Sequence, residues 1–305
     1  MKVWLAAPYT REQLGALPPA VELEPFPDDP RSASGLAEVE FAVPPYRPRE
    51  VVEALPRMRR LKVLQADSAG VEWLVGHVPP GVTLCNARGV HDVATSEWVV
   101  AAILALTKRL PAALEDQRAA RWGTLEPDEL ADKMVLILGY GSSGRAVAAR
   151  LEPFGVRLVR VSRTARAGVH GASELPQLLP DADVVVLLAP LTEETRGLAG
   201  ERFLGLMRPR ALLVNAGRGA LVDTPALLRA LDARRIRAAL DVTEPEPLPA
   251  DHPLWRAPGV LITPHVAGAS PRSAPRAAAL IREQLLRYLE GRPLANVVVG
   301  AASTV

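Results

Sequence analysis

Apolar positions fall into two regimes along the chain, meeting near residue 134. In the first, short Val- and Leu-rich runs at 2–7, 40–43, 61–66 and 83–86 are bounded by breakers and predict strands. Pro18-Pro19, Pro25, Pro27, Pro30, Pro44-Pro45 and Pro79-Pro80 punctuate the intervals. Between about 91 and 110, Ala, Val, Ile and Leu recur at helical spacing, which predicts a long amphipathic helix with Pro111 as its stop.

After Met134 the rhythm is regular. Strands are expected at 134–138, 157–161, 183–189, 211–215, 238–242 and 260–263, and helices at 144–154, 174–179, 201–207 and 224–233. Continuous apolar strands, most of them separated by a helix, indicate a parallel sheet covered on both faces. A last helix over 273–289 carries Arg287 near its end and stops at Gly291, a fitting C-terminal signal. From periodicity alone this helix could join either half.

Composition narrows the class. A chain of 305 residues has room for about two domains. With 49% hydrophobic and 23% charged residues it is an ordinary globular chain. A formal charge of +2 points to no nucleic-acid and no membrane partner. The slight excess of arginine is spread along the chain and reads as solvated surface. Cys85 is the single cysteine, so no intrachain disulfide can form, and a reducing compartment is expected. The opening residues lack a signal core, and no apolar run approaches the roughly 18 residues of a membrane span. A cytoplasmic protein is therefore expected. No metal site is expected.

The chemistry begins after the strand Val135-Leu136-Ile137-Leu138. There Gly139-Tyr140-Gly141-Ser142-Ser143-Gly144 leads into a helix, the context of a dinucleotide pyrophosphate turn. Gly139 suits the tight turn, Gly141 the approach of pyrophosphate, and Gly144 close helix packing. The next strand ends in Ser162-Arg163-Thr164 with Arg166 beyond, where NAD-binding units place an acidic residue for the ribose 2′-hydroxyl. A guanidinium suits a 2′-phosphate, so NADPH is expected to be preferred over NADH. Three more polar residues follow strand ends: Arg218 in Asn215-Ala216-Gly217-Arg218-Gly219, Glu246 past Asp241-Val242, and His265 in Pro264-His265-Val266-Ala267-Gly268.

These segments, with Pro190-Leu191-Thr192 and Thr195, Val222-Asp223, Ser68-Ala69-Gly70-Val71 and Ser96-Glu97-Trp98, cover nearly the whole chain. The chain resembles the D-isomer-specific 2-hydroxyacid dehydrogenase family, in particular its glyoxylate/hydroxypyruvate reductases. The resemblance implies an α/β fold of two Rossmann-like or flavodoxin-like domains, with doubly wound parallel sheets and an interdomain cleft. The substrate domain would combine 1–98 with 272–305, and the dinucleotide domain would be 99–271. Hinges would lie near Trp98 and Ser270.

Roles follow residue by residue from that resemblance. Arg218 would hold the substrate carboxylate and polarise its 2-oxo group, as a guanidinium fork suits a planar anion. His265 would act as acid in reduction and base in oxidation, the side chain suited to exchange near neutral pH. Glu246 would orient the imidazole and favour its protonated form. The amides at Ala69 and Gly70 would meet the carboxylate's other side. Pro190, Thr195, Asn215 and Asp241 join the cofactor set, the last two by the nicotinamide. Ser68 and Glu72 depart from the commoner Gly and Asp or Asn without removing a backbone donor. Arg88 could add charge for a second acidic group, although a surface arginine is the simpler reading.

The implied reaction is hydride transfer between NAD(P)H and a small 2-oxo acid, in the reductase direction, by a homodimer whose contact could be the 99–106 helix. Glu246 argues against a formate dehydrogenase, which carries Gln there. A phosphite-type dehydrogenase and a dinucleotide-sensing corepressor remain as alternatives.

Overall fold

The structure, a computed structural model, describes residues 1–46 and 49–301. The chain divides into two compact units, Met1–His91 with Ser270–Val305, and Asp92–Ala269. Residues 302–305, part of the domain expected at 272–305, lie outside the described residues.

The first unit opens with five parallel strands: β1 (Lys2–Leu5), β2 (Glu22–Pro25), β3 (Val39–Val43), β4 (Val63–Gln65) and β5 (Thr83–Cys85). Alternate residues serve opposite faces, as the pleat requires. Trp4, Val39, Ala42, Leu64 and Leu84 build one core, and Val3, Leu5, Phe41, Val43 and Val63 the other. β2 is absent from the sequence expectation because its prolines read as breakers. It forms at the sheet edge, paired only with β1. There Pro25 closes the strand without a missing donor mattering.

The second unit holds seven parallel strands: β6 (Met134–Leu138), β7 (Arg157–Ser162), β8 (His170–Gly171), β9 (Val184–Leu187), β10 (Leu212–Asn215), β11 (Arg237–Leu240) and β12 (Val260–Ile262). Their order is β12-β11-β10-β9-β6-β7-β8. One face buries Val135, Ile137, Val186 and Val214 against the helices Asp92–Thr107 and Ser142–Leu151. The other buries Leu136, Leu138, Val185 and Leu213 under the helices Glu201–Leu206 and Thr224–Asp232. Both units are thus α/β folds on parallel sheets of the Rossmann-like kind.

Pro111 does not stop the long helix. That helix ends at Thr107, and Pro111 sits in the first turn of a new one, Leu110–Arg118, after Arg109 at φ 56°. A first-turn proline lacks only an N–H that would have no helical acceptor.

The chain finally re-enters the first unit as the helix Ser273–Leu289 and β13 (Val297–Val299). β13 runs antiparallel to β5 and completes the order β13-β5-β4-β3-β1-β2. The helix buries Ala278, Ile281 and Leu285 with Val3 and Phe41, which assigns it to this unit. Gln284, fully buried, donates to Gln65 Oε1 at 2.9 Å and to Ala295 O at 2.8 Å.

Candidate active site

Every strand of the second unit is parallel, so all carboxyl ends share one rim. The order reverses between β6 and β9, and open α/β sheets bind ligands at such a switch point. The glycine turn leaves β6 there. Gly139 has φ 100°, and a Cβ on it would lie 2.4 Å from Ala189 N and Leu188 C. A Cβ at Gly144 would lie 2.6 Å from Gly139 O, whereas one at Gly141 would meet nothing within 4 Å. Two glycines therefore serve the chain's own packing, and the third leaves open backbone beside a helix start. That arrangement fits a pyrophosphate, since first-turn amides have no helical acceptor and attract anions. Ser142 and Ser143 give both hydroxyls to the carboxylate of Asp92, the latter at 2.7 Å.

Past β7, Ser162 Oγ donates to Thr164 O at 2.7 Å. Arg166 donates to Ser162 Oγ at 2.8 Å and to Tyr140 O at 2.9 Å, tying the ends of two strands together. The Arg163 side chain is exposed. After β9, Thr195 Oγ1 donates to Pro190 O at 2.7 Å and closes that loop.

Arg218, Glu246 and His265 follow β10, β11 and β12. Arg218 is half-buried and donates to Gly217 O at 2.8 Å. Its turn is set by Asn215, which is fully buried: Asn215 Nδ2 donates to Arg218 O at 2.9 Å, and Gly217 N donates to Asn215 Oδ1 at 3.1 Å. His265 Nδ1 lies 2.5 Å from Glu246 Oε1, with both side chains about one-third exposed (34% and 31%). With Nδ1 on the carboxylate, Nε2 is the nitrogen left for proton exchange.

Asp241 organises the His265 loop. Its carboxylate is 2% exposed and accepts from Thr263 Oγ1 at 2.6 Å, Val266 N at 2.8 Å and Ala267 N at 2.8 Å. His265 N donates to Asp241 O at 2.8 Å. His265 itself sits at φ 54°, a left-handed conformation that costs a residue with a Cβ about 1–2 kcal/mol. Hydrogen bonds to a charged acceptor contribute about 1.5–3 kcal/mol each, so Asp241 outweighs the strain. The side chains of Asn215 and Asp241, expected near a nicotinamide, are thus engaged by the loops bearing Arg218 and His265.

In the first unit, Ser68-Ala69-Gly70 follows β4. Asn86 Nδ2 donates to Ala69 O at 2.8 Å, and Ser68 Oγ donates to Gly70 O at 2.8 Å. Arg88 donates through Nε to Asn296 Oδ1 at 3.1 Å, and Asn296 Nδ2 donates to Arg88 O at 2.9 Å. Asn86, Asn296, Asp92 and Thr263 escaped the sequence reading. Only Asp92, at a helix start, carried a local signal. Among the described residues, no helix is long and apolar enough to cross a membrane, and no cluster of three or more His, Cys, Asp or Glu could hold a metal ion.

Comparison with known proteins places the chain in a family. Residues 100–267 match the model of the D-isomer specific 2-hydroxyacid dehydrogenase NAD binding domain. Glyoxylate reductase from Aeropyrum pernix is 38% identical over 233 residues, 72% of this chain and 70% of that protein. The D-isomer specific 2-hydroxyacid dehydrogenase of Xanthobacter autotrophicus Py2, solved with NADPH and MES, superposes with a TM-score of 0.86 at 32% identity, covering 98% of this chain and 97% of that one. The NADPH-dependent glyoxylate/hydroxypyruvate reductase of Sinorhizobium meliloti, solved with NADP and sulfate, gives a TM-score of 0.83 at 28% identity, covering 97% of each chain. The chain belongs to the D-isomer-specific 2-hydroxyacid dehydrogenase family of nicotinamide-dependent oxidoreductases.

Proposed function

We propose that the protein reduces a small 2-oxo acid of the glyoxylate or hydroxypyruvate type to the D-2-hydroxy acid, with a preference for NADPH. One observation carries the reading: the His265–Glu246 pair at 2.5 Å stands on the same strand-end rim as Arg218 and the glycine turn. Arg218 takes the substrate's carboxylate and polarises its 2-oxo oxygen. His265 delivers the proton to that oxygen from Nε2, and Glu246, accepting at Nδ1, holds the ring in the tautomer this needs. The dinucleotide, when bound, supplies the hydride.

Gly139, Tyr140, Gly141, Ser142, Ser143 and Gly144 hold the pyrophosphate in this reading, and Ser162, Arg163, Thr164 and Arg166 the adenosine end. The amides at Ala69 and Gly70 take a carboxylate in this reading. The solved relatives with NADPH and NADP support the cofactor preference. The reading includes a cytoplasmic homodimer. Val99, Ala102, Ile103 and Leu106 are buried in their own unit's core, so the apolar side chains left for a copy–copy contact nearby are Leu110, Leu114 and Trp122.

Initial rates on glyoxylate, hydroxypyruvate and larger 2-oxo acids, with NADPH and NADH, test the proposal. Turnover with NADPH favoured is the expected result. A clear preference for NADH overturns the cofactor assignment. Dinucleotide binding without turnover of any 2-oxo acid supports the corepressor reading, and turnover of phosphite alone the phosphite one.

A further inference from the structure

We propose that Asp92 is an affinity-setting residue that opposes pyrophosphate binding at the glycine turn. What brings a dinucleotide to this unit is the NAD-binding family match over 100–267. The inference rests in addition on the reading of Gly139 to Gly144 as the pyrophosphate cradle.

Asp92 is the first residue of the helix Asp92–Thr107, and its half-buried carboxylate reaches the start of the helix Ser142–Leu151. There it accepts from Ser143 Oγ at 2.7 Å and also from Ser142 Oγ. A carboxylate can only accept, so each serine's single hydroxyl proton is committed to Asp92. The seryl oxygens then turn lone pairs, not protons, to any incoming anion. The carboxylate also places a negative charge at the end of the helix that attracts anions.

Asp92 therefore acts against the pyrophosphate twice. It withdraws two hydroxyl donors from the turn, leaving the main-chain amides as the remaining donors, and it repels the pyrophosphate by its own charge. An Asn or Ser at the same place keeps an oxygen that can accept from the serines while lacking the charge. The charge lowers affinity for the dinucleotide in either redox state, which favours its release.

The test is direct binding, by calorimetry or fluorescence titration, to the wild type, Asp92→Asn and Asp92→Ser. The probes are NADPH, ADP-ribose, which keeps the pyrophosphate, and adenosine 2′-monophosphate, which lacks it. Each variant should bind NADPH and ADP-ribose about five- to tenfold more tightly, the scale of removing one nearby, partly screened charge. Adenosine 2′-monophosphate should bind the wild type and the variants alike. Thermal melts identify a variant that fails to fold, and the other then decides. Unchanged or weaker binding of ADP-ribose by a folded variant overturns the role of Asp92, as does an equal gain for adenosine 2′-monophosphate. If neither wild type nor variants bind NADPH or ADP-ribose, the pyrophosphate reading itself falls, and the proposal with it.

Discussion

Each unit keeps a carboxylate just past a sheet strand, and the two are treated differently. Asp241, after β11, is 2% exposed and receives three donors at 2.6–2.8 Å. Asp67, two residues past β4, is half-buried and receives the Tyr9 hydroxyl at 3.4 Å. Burial pushes the Asp67 carboxyl above the usual carboxylate range, against the lowering effects of the Tyr9 hydroxyl, its own backbone amide and the nearby His91. Burial also pushes the Tyr9 phenol well above its ordinary value, with the Asp67 charge adding to the shift. A buried carboxylate becomes a rigid support when donors surround it. With only a long hydroxyl bond and its own amide to set against burial, it is an electrostatic burden. The second unit uses the first arrangement to hold the loop of His265, the proposed proton donor. In the first unit the loop after β4 is held by neutral groups instead: the Asn86 carboxamide donates to Ala69 O and the Ser68 hydroxyl to Gly70 O.

The largest effect should come from the group that Asp241 supports. His265→Ala is expected to lower kcat by about two to four decades, the scale of general acid–base catalysis. An unchanged rate in steady-state assays would remove the reason for the support. Asp241→Asn comes next. An amide can replace only one carboxylate oxygen as acceptor, so its NH2 would face a backbone N–H or the Thr263 hydroxyl. Urea melts should show a loss of about 1–3 kcal/mol. Misplacement of the imidazole should lower kcat by about ten- to hundredfold, with less change in KM for the dinucleotide. A destabilised variant with full kcat would show that Asp241 does not position His265.

Asp67→Asn should have the smallest effect, and the opposite sign. A carboxyl whose folded pKa is raised favours folding while protonated, and that contribution is lost as pH rises through the folded value. At low pH the wild type and variant should therefore melt together. Above the raised value the Asn variant should be the more stable, by less than about 1 kcal/mol. Equal melting at pH 8, or a less stable variant, would show that the Tyr9 hydrogen bond compensates the burial.

The inner strands β6, β9 and β10 were legible in the sequence because burial on both faces leaves unbroken Val- and Leu-rich runs, and β7, β11 and the edge strand β12 because they continue the same alternation with helices. Three others were not. β2 ends in a proline, β8 has two residues, and β13 is a three-residue apolar run, too short to stand out as a strand. Arg218, Glu246 and His265 could be named because each lies in a distinctive segment past a predicted strand. Their supports could not. Asp241 and Asn215 were visible as polar residues at strand ends; Asn215 acts within its own turn, on Gly217 and Arg218, but the loop partners of Asp241 lie 22 to 26 residues away and are brought together only by the sheet order.

Local chemistry, then, was written in the residue order: glycines where a Cβ would strike backbone, apolar runs where strands lie buried, and an Arg, a Glu and a His in recognisable settings. What required the tertiary structure was everything that depends on pairing across the sheet. It decided that the Ser273–Leu289 helix returns to the first unit and that His265 is held at positive φ by Asp241. It also decided that Asp92 meets Ser142 and Ser143, 50 and 51 residues away. Hydrophobic periodicity encodes which face of an element is buried. The contacts of a polar side chain are set by strand order and by the path of the loops, which no local pattern carries.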